Sequence, residues 1–207
     1  DAWVDQVPQV PVFQLQVPRA QTPAAISYFA AQLERLVRWI EQVAGTRIDG
    51  QSLGRWCLLH DIVRVRTQHL LEANSPGWGG DGKTLSSLCL SSLDRPACLA
   101  DERTPRDSES GCQRRGPSRG PRILLAGGCL EDETVEKMLA EADACVVGLD
   151  ACLGPGLFTQ PVGDAPEPIE ALARSVLTRP RCVRMMGLAA RLERLEHLLE
   201  DHRADGL

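Results

Sequence analysis

The sequence predicts an α/β fold: a parallel βαβ unit, forming a Rossmann-like lobe, preceded by a helical segment. Two apolar stretches, at about 122–126 and 145–149, have the length and composition of buried strands. A helical pattern lies between them, from about Asp132 to Ala142. Strand, helix and strand in this order over about 30 residues are typical of two parallel strands joined by a crossover helix.

The N-terminal part is predicted to contain one strand and two helices. The segment Val12–Val17 is rich in alternating apolar residues, as a half-buried strand would be. Thr22 followed by Pro23 is a typical helix start, and Gly45 is a typical helix end. A second helix is expected to begin within 48–53 and to run to about Glu72.

Composition divides the chain into three regions. Residues 1–78 hold the strand and the two helices, and residues 121–207 hold the α/β lobe, which is predicted to be incomplete. Between them, residues 79–120 are rich in Gly, Ser, Pro, Arg and Asp, and helical periodicity is faint. Because such a stretch buries little apolar surface, we expect an irregular linker there.

Charge and hydropathy argue against several classes of protein. The chain of 207 residues has a net charge of −5, whereas proteins that bind nucleic acid broadly have a basic face. No run of 18 apolar residues is present, so no membrane span is expected. The chain begins with Asp1 and shows no signal peptide, and it is predicted to be a fragment of a cytoplasmic protein.

The eight cysteines are many for a chain without secretory features. No Cys-x-x-Cys pair is present, which excludes zinc ribbons and thioredoxin-like motifs, so a metal site would draw its thiolates from separate loops. Cys129 and Cys152 follow the two predicted strands, and Cys182 follows a further short segment. Soft thiolates at such positions suit iron–sulfur binding, and these three are the candidate metal ligands. The alternative is a packing role, which we expect for Cys145.

The ends of the two strands form a second candidate site. Ligands of parallel sheets bind beyond the carboxyl ends of the strands, so the candidate cofactor-binding residues are Gly127, Gly128, Asp150 and Gly154. The two adjacent glycines could expose N–H groups to a phosphate, but no complete nucleotide-binding motif follows them, and a tight β-to-α turn is the alternative. No catalytic residue is assigned. The charges of Ala190–Arg203 predict a solvated helix face.

Taken together, these segments resemble the 2-hydroxyacyl-CoA dehydratase D-component family, which includes benzoyl-CoA reductase subunits. The resemblance is carried by two blocks, residues 12–74 and residues 121–206. The second block includes Arg122–Asp132, Asp150-Ala-Cys-Leu-Gly154, Asp164–Ala173, Pro180-Arg-Cys182 and Asp205-Gly206. It implies an anaerobic iron–sulfur protein that holds a [4Fe-4S] cluster and acts on an acyl-CoA thioester. It also implies two protein partners, a second dehydratase subunit and an ATP-dependent activator.

The resemblance implies a set of cysteine ligands, and this sequence departs from the family pattern at two places. Some members have a cysteine after one glycine at the first strand end, one before a glycine at the second, and one after the short helix. Cys129, Cys152 and Cys182 match these positions in order, but Gly127-Gly128-Cys129 is one residue longer. The same segment fits equally well to members with Gly-Ser-Glu-Leu-Asp-Asp, in which Cys129 would be no ligand. Gly154-Pro-Gly-Leu-Phe158 replaces Gly-Ser-Arg-Tyr-Phe, so the arginine's anion contact is not carried over.

Two functions therefore remain open. In the first, the parent protein is an enzyme subunit, a dehydratase lyase or a benzoyl-CoA reductase-like protein, and its cluster passes one activated electron to a CoA thioester. In the second, the chain is a non-catalytic remnant or interaction module with a Rossmann-like lobe. Iron content and a brown colour after anaerobic expression would distinguish them. The 207-residue chain alone is expected to be inactive, because outer lobes typical of the family are missing.

Overall fold

A computed structural model describes residues 9–74, 85–93, 120–128, 134–180 and 187–207. In chain order its elements are α1 (Pro23–Ala44), α2 (Gly50–Asn74), α3 (Leu85–Leu93), β1 (Arg122–Ala126), α4 (Thr134–Glu141), β2 (Cys145–Asp150), a 3₁₀ turn (Pro155–Phe158), α5 (Pro168–Leu177) and α6 (Leu188–Asp201). None of the described helices is long and apolar enough to cross a membrane.

The chain forms two compact units, each assembled from separate segments. The first unit combines Asp1–Leu58 with Val162–Thr178, and the second combines Leu59–Pro161 with Arg179–Leu207. The sequence prediction instead divided the chain in sequential order, and its three regions stay a prediction.

The start and end of α1 confirm the sequence prediction. The hydroxyl of Thr22 accepts a hydrogen bond from the backbone N–H of Ala25 at 3.2 Å, and Pro23 occupies the first turn. The helix ends at Gly45, whose φ of +64° lies in the left-handed region that a glycine adopts without strain. The cap, the proline and the glycine thus define this helix locally.

The core of the first unit forms between α1 and α5. Ile26, Phe29 and Leu33 recur on one face of α1 and are buried against Ala173 and Leu177 of α5. This is the apolar stripe that the spacing in the sequence predicts. Burying side chains of this size contributes roughly 1.5–3 kcal/mol each to the free energy of unfolding.

The strand predicted over Val12–Val17 is wrong. The segment forms no strand, because none of the described residues pairs with its backbone as a neighbouring strand would. Its alternation has a different cause: Phe13 packs its ring 5.6 Å from that of Trp39, and Leu15 lies against the core of the first unit. Val12 and Val17 face outward.

The second predicted helix is confirmed as α2. Asp49 begins it: one carboxylate oxygen accepts from the backbone N–H of Ser52 at 2.8 Å, and the other accepts from the Ser52 hydroxyl at 2.7 Å. These hydrogen bonds lower the pKa of Asp49 because they favour its charged form, and the bond from the Ser52 N–H has the larger effect.

The predicted βαβ unit is confirmed in its strands, their parallel direction and the intervening helix. β1 pairs with β2 in parallel, from Arg122 opposite Cys145 to Ala126 opposite Asp150, and α4 lies between them in the chain. On the other side of β1, Gly206 forms a parallel bridge to Ile123. The described residues thus show a two-stranded sheet with one further bridge, which is less than a full Rossmann-like lobe.

The second unit has its own apolar core, and α3 supplies part of it. Leu85 and Cys89 of α3 are buried with Leu71, Leu149 and Phe158. The sequence prediction placed no helix here, since α3 lies within the expected linker 79–120. Most of that range, including 94–119, falls outside the described residues, so the irregular linker stays a prediction there.

A buried carboxylate begins α3. Glu136 of α4 is 5% exposed, and its two oxygens accept hydrogen bonds from the backbone N–H groups of Leu85 and Ser86, both at 3.1 Å. The first N–H groups of a helix have no partner within the helix and carry partial positive charge. A residue 51 positions away in sequence therefore caps α3 and joins it to α4.

We expect Glu136→Gln to lower the free energy of unfolding by about 1–3 kcal/mol. The amide would bring one N–H₂ donor against two backbone donors and would remove the negative charge at the helix start. Urea denaturation followed by circular dichroism measures the change. Glu141→Gln, the same substitution at the exposed end of α4, is the control and should stay within about 0.5 kcal/mol of the parent. Equal stability of the two variants would contradict the capping role.

Candidate functional site

Backbone hydrogen bonds bring four of the predicted site residues together at the carboxyl end of the sheet. The N–H of Gly127 donates to the carbonyl of Asp150 at 3.1 Å, and the N–H of Cys152 donates to the carbonyl of Gly128 at 3.1 Å. Since β1 and β2 are parallel, both strand ends lie at the edge where ligands of such sheets bind. We call Gly127, Gly128 and residues 150–154 the sheet edge.

The two adjacent glycines have open surroundings. A Cβ atom built on Gly127 or on Gly128 would meet nothing within 4 Å. Neither glycine has a positive φ, so the backbone does not require glycine at either position. The N–H of Gly127 is already used by Asp150, and Gly128 is exposed. Their role in cofactor binding stays a prediction.

Gly154 is different, because its turn leaves little room for a side chain. Its N–H donates to the carbonyl of Ala151 at 3.0 Å, closing a turn before the 3₁₀ segment. A Cβ at Gly154 would lie 3.1 Å from the carbonyl oxygen and 3.2 Å from the nitrogen of Ala151. This close approach favours glycine without any ligand, and cofactor binding by Gly154 stays a prediction.

The side chain of Asp150 is held by two arginines of α6. One carboxylate oxygen lies 3.2 Å from Nε of Arg194, and the other lies 3.3 Å from a terminal nitrogen of Arg191. The side chain of Asp150 is 9% exposed, and those of Arg191 and Arg194 are 11% and 27% exposed. We call these three residues the Asp150 clasp.

The clasp corrects part of the prediction that the charges of Ala190–Arg203 form a solvated helix face: Glu193, Glu196 and His197 are exposed as expected, whereas Arg191 and Arg194 turn towards Asp150. Arg194 turns inward because a buried carboxylate at the end of β2 is its partner. The helix spacing held a signal that the sequence analysis missed: Arg191 and Arg194 share a face with the half-buried Leu195 and Leu198. What they contact could be learned only from the tertiary structure.

Cys152 is the one candidate metal ligand that the structure describes. None of the four described cysteines forms a disulfide. Cys152 is half-buried, whereas Cys57, Cys89 and Cys145 are buried. Cys129 and Cys182 lie outside the described residues. Among the residues that are described, no group of three or more His, Cys, Asp or Glu side chains could hold a metal ion.

The buried thiols are poorly suited to bind metal, because a thiolate is the ligand form. Burial, followed by the nearby charge of Glu136, raises the pKa of Cys89 to about 12. Burial also raises the pKa of Cys145, which is the core residue that the sequence predicts. The described residues therefore supply one thiol that is not fully buried, Cys152 at the sheet edge, and an iron–sulfur cluster there stays a prediction.

A separate cavity lies wholly within the first unit. It has a volume of about 440 Å³ and lies between α1, the start of α2 and the start of α5. Its lining includes Glu34, Glu167 and Glu170, and no Lys or Arg side chain lines it. An acidic lining of this kind disfavours the phosphates of a CoA ester.

We expect Gly154→Ala to destabilise the protein by about 1–3 kcal/mol, because the new methyl group meets backbone atoms that cannot move independently. Gly128→Ala is the matched control, since its methyl group would enter open space, and it should change stability by less than about 0.5 kcal/mol. Thermal and urea unfolding measure both. A destabilisation by Gly128→Ala as large as that by Gly154→Ala would contradict the turn geometry.

Comparison with known proteins gives one positive result. The family model for 2-hydroxyglutaryl-CoA dehydratase, D-component, matches residues 1–207. No curated protein matches the chain significantly.

Proposed function

The chain belongs to the 2-hydroxyglutaryl-CoA dehydratase D-component family, and we propose that it works as a subunit of an iron–sulfur 2-hydroxyacyl-CoA dehydratase. The observation that carries this proposal is that the family match extends over residues 1–207 rather than over one short motif. The position of Cys152 at the sheet edge supports it, because parallel sheets bind their ligands there.

In this proposal Cys152, Cys129 and Cys182 would hold a 4Fe-4S cluster through their thiolates. Bound there, the cluster would supply a single electron to the CoA thioester, which makes loss of the 2-hydroxyl group as water possible. The chain itself provides the fixed turn around Cys152, through the hydrogen bond from its N–H to the carbonyl of Gly128. Gly127 and Gly128 leave open space in which an acyl-CoA could approach the edge.

The proposal includes the partners that such chemistry needs. An ATP-dependent activator protein would deliver the electron, and a second dehydratase subunit would complete the substrate site. The family supports a subunit that works with partner components. We further propose that the protein acts in the cytoplasm of an anaerobic cell, as the resemblance to the dehydratase family implies.

We expect Cys152→Ser to lower iron retention by at least about 10-fold, since loss of even an outer partner of a metal ligand costs this much. The measurement is iron and acid-labile sulfide per chain after anaerobic purification, together with the visible absorption spectrum. Cys57→Ser is the control, because it makes the same change at a buried helix position away from the sheet edge.

The outcomes separate the two functions that the sequence leaves open. A brown parent protein that loses its iron on Cys152→Ser but not on Cys57→Ser supports the dehydratase subunit. A colourless parent protein without iron contradicts the proposal and favours the non-catalytic module. Iron that is retained by Cys152→Ser removes this residue from the ligand set.

A further inference from the structure

The way α6 is attached to the sheet is unusual for an amphipathic helix. None of its residues is fully buried, and Leu188 and Leu192 are 70% and 50% exposed. Among its described contacts, the Asp150 clasp ties its first two turns to the end of β2. Charged groups rather than a buried apolar face therefore carry much of the attachment.

Arg122 provides a second polar attachment just beyond the other end of α6. Its guanidinium donates to the carbonyl of His202 at 2.6 Å and to that of Arg203 at 2.9 Å. A cation here is favoured, because the last carbonyls of a helix have no partner within the helix and carry partial negative charge. α6 is thus fixed to β1 by Arg122 and to β2 by the clasp.

The clasp acts directly on the turn that carries Cys152. Asp150 is the last residue of β2, and its carbonyl accepts from Gly127. Two residues later, the backbone N–H of Cys152 donates a hydrogen bond to the carbonyl of Gly128. The turn closes with a hydrogen bond from the N–H of Gly154 to the carbonyl of Ala151. At the start of the turn, α6 therefore holds the side chain of Asp150, and Gly127 at the end of β1 holds its backbone carbonyl.

From this arrangement we propose that Arg191 and Arg194 are positioning residues, which act through Asp150 to fix the turn that presents Cys152 at the sheet edge. The inference rests on the proposed function, in which Cys152 is a cluster ligand. Breaking the clasp leaves a buried charge without its counter-charge, so the turn should lose its fixed geometry.

The clasp has a charge consequence that a purely structural contact would lack. Two guanidinium groups and one carboxylate lie beside the sheet edge, and each contributes its own charge to the local potential. Reduction adds negative charge to a cluster, and a nearby positive charge stabilises the reduced form. Removing an arginine should lower the reduction potential, whereas removing the carboxylate should raise it.

The test uses the full chain, reconstituted anaerobically with iron and sulfide, and compares Asp150→Asn with the double variant Arg191→Gln/Arg194→Gln. Both should lose iron to a chelator about 10-fold faster than the parent, the effect of losing a partner that orients a metal ligand. Their reduction potentials should move in opposite directions, upward for Asp150→Asn and downward for the double variant. Arg174→Gln, which breaks an exposed ion pair with Glu170, is the matched control and should behave as the parent.

A milder pair of variants tests the inference even where Asp150→Asn or the double variant does not fold. Arg191→Lys and Arg194→Lys keep the charge but lose the planar group that contacts the carboxylate. Each should keep the potential of the parent and lose iron several-fold faster. Parent-like iron retention in the folded clasp variants would overturn the inference while leaving the dehydratase proposal intact.

A parent protein that binds no iron would instead refute the proposed function. Amide hydrogen exchange of residues 145–154 in the iron-free chain then decides the inference. Faster exchange in the clasp variants than in Arg174→Gln would support the positioning of the turn, and equal exchange would overturn it.

Discussion

In the arrangement that we propose, the sheet edge depends on the contact of the Asp150 carboxylate with Arg191 and Arg194. A carboxylate that is only 9% exposed must keep its counter-charges, because an unpaired buried charge costs several kcal/mol. One side chain therefore ties together the end of β2, the turn with Cys152 and the last helix. The backbone carbonyl of Asp150 also accepts a hydrogen bond from the N–H of Gly127, so the same residue contacts the end of β1 as well.

A second buried carboxylate, in the same unit, also joins two elements through polar contacts. Glu136 caps α3 from α4, with two hydrogen bonds of 3.1 Å. Burial, and to a lesser extent the charge of Glu136, raises the pKa of Cys89 to about 12, so that this thiol stays protonated in the core. The structure thus separates its described thiols by environment, with enclosed thiols in the core and the half-buried Cys152 at the edge.

Local signals in the sequence predicted much of the secondary structure. Thr22, Pro23 and Gly45 define α1 because capping and the left-handed end are decided by adjacent residues. The apolar runs of β1 and β2 and the segment between them predicted the parallel pair. The strand predicted at Val12–Val17 is wrong, because alternation does not supply a pairing strand, and of its apolar residues only Phe13 and Leu15 are even partly buried.

The sequence by itself determined the family resemblance, the parallel βαβ unit and the gathering of Gly127, Gly128, Asp150 and Cys152 at one edge, because strand direction fixes which ends meet. Only the tertiary structure decided that Asp150 is paired with Arg191 and Arg194 and that Glu136 caps α3. These contacts join residues far apart in sequence. Their partners follow from the packing of whole elements, which no local pattern of charge or hydropathy specifies.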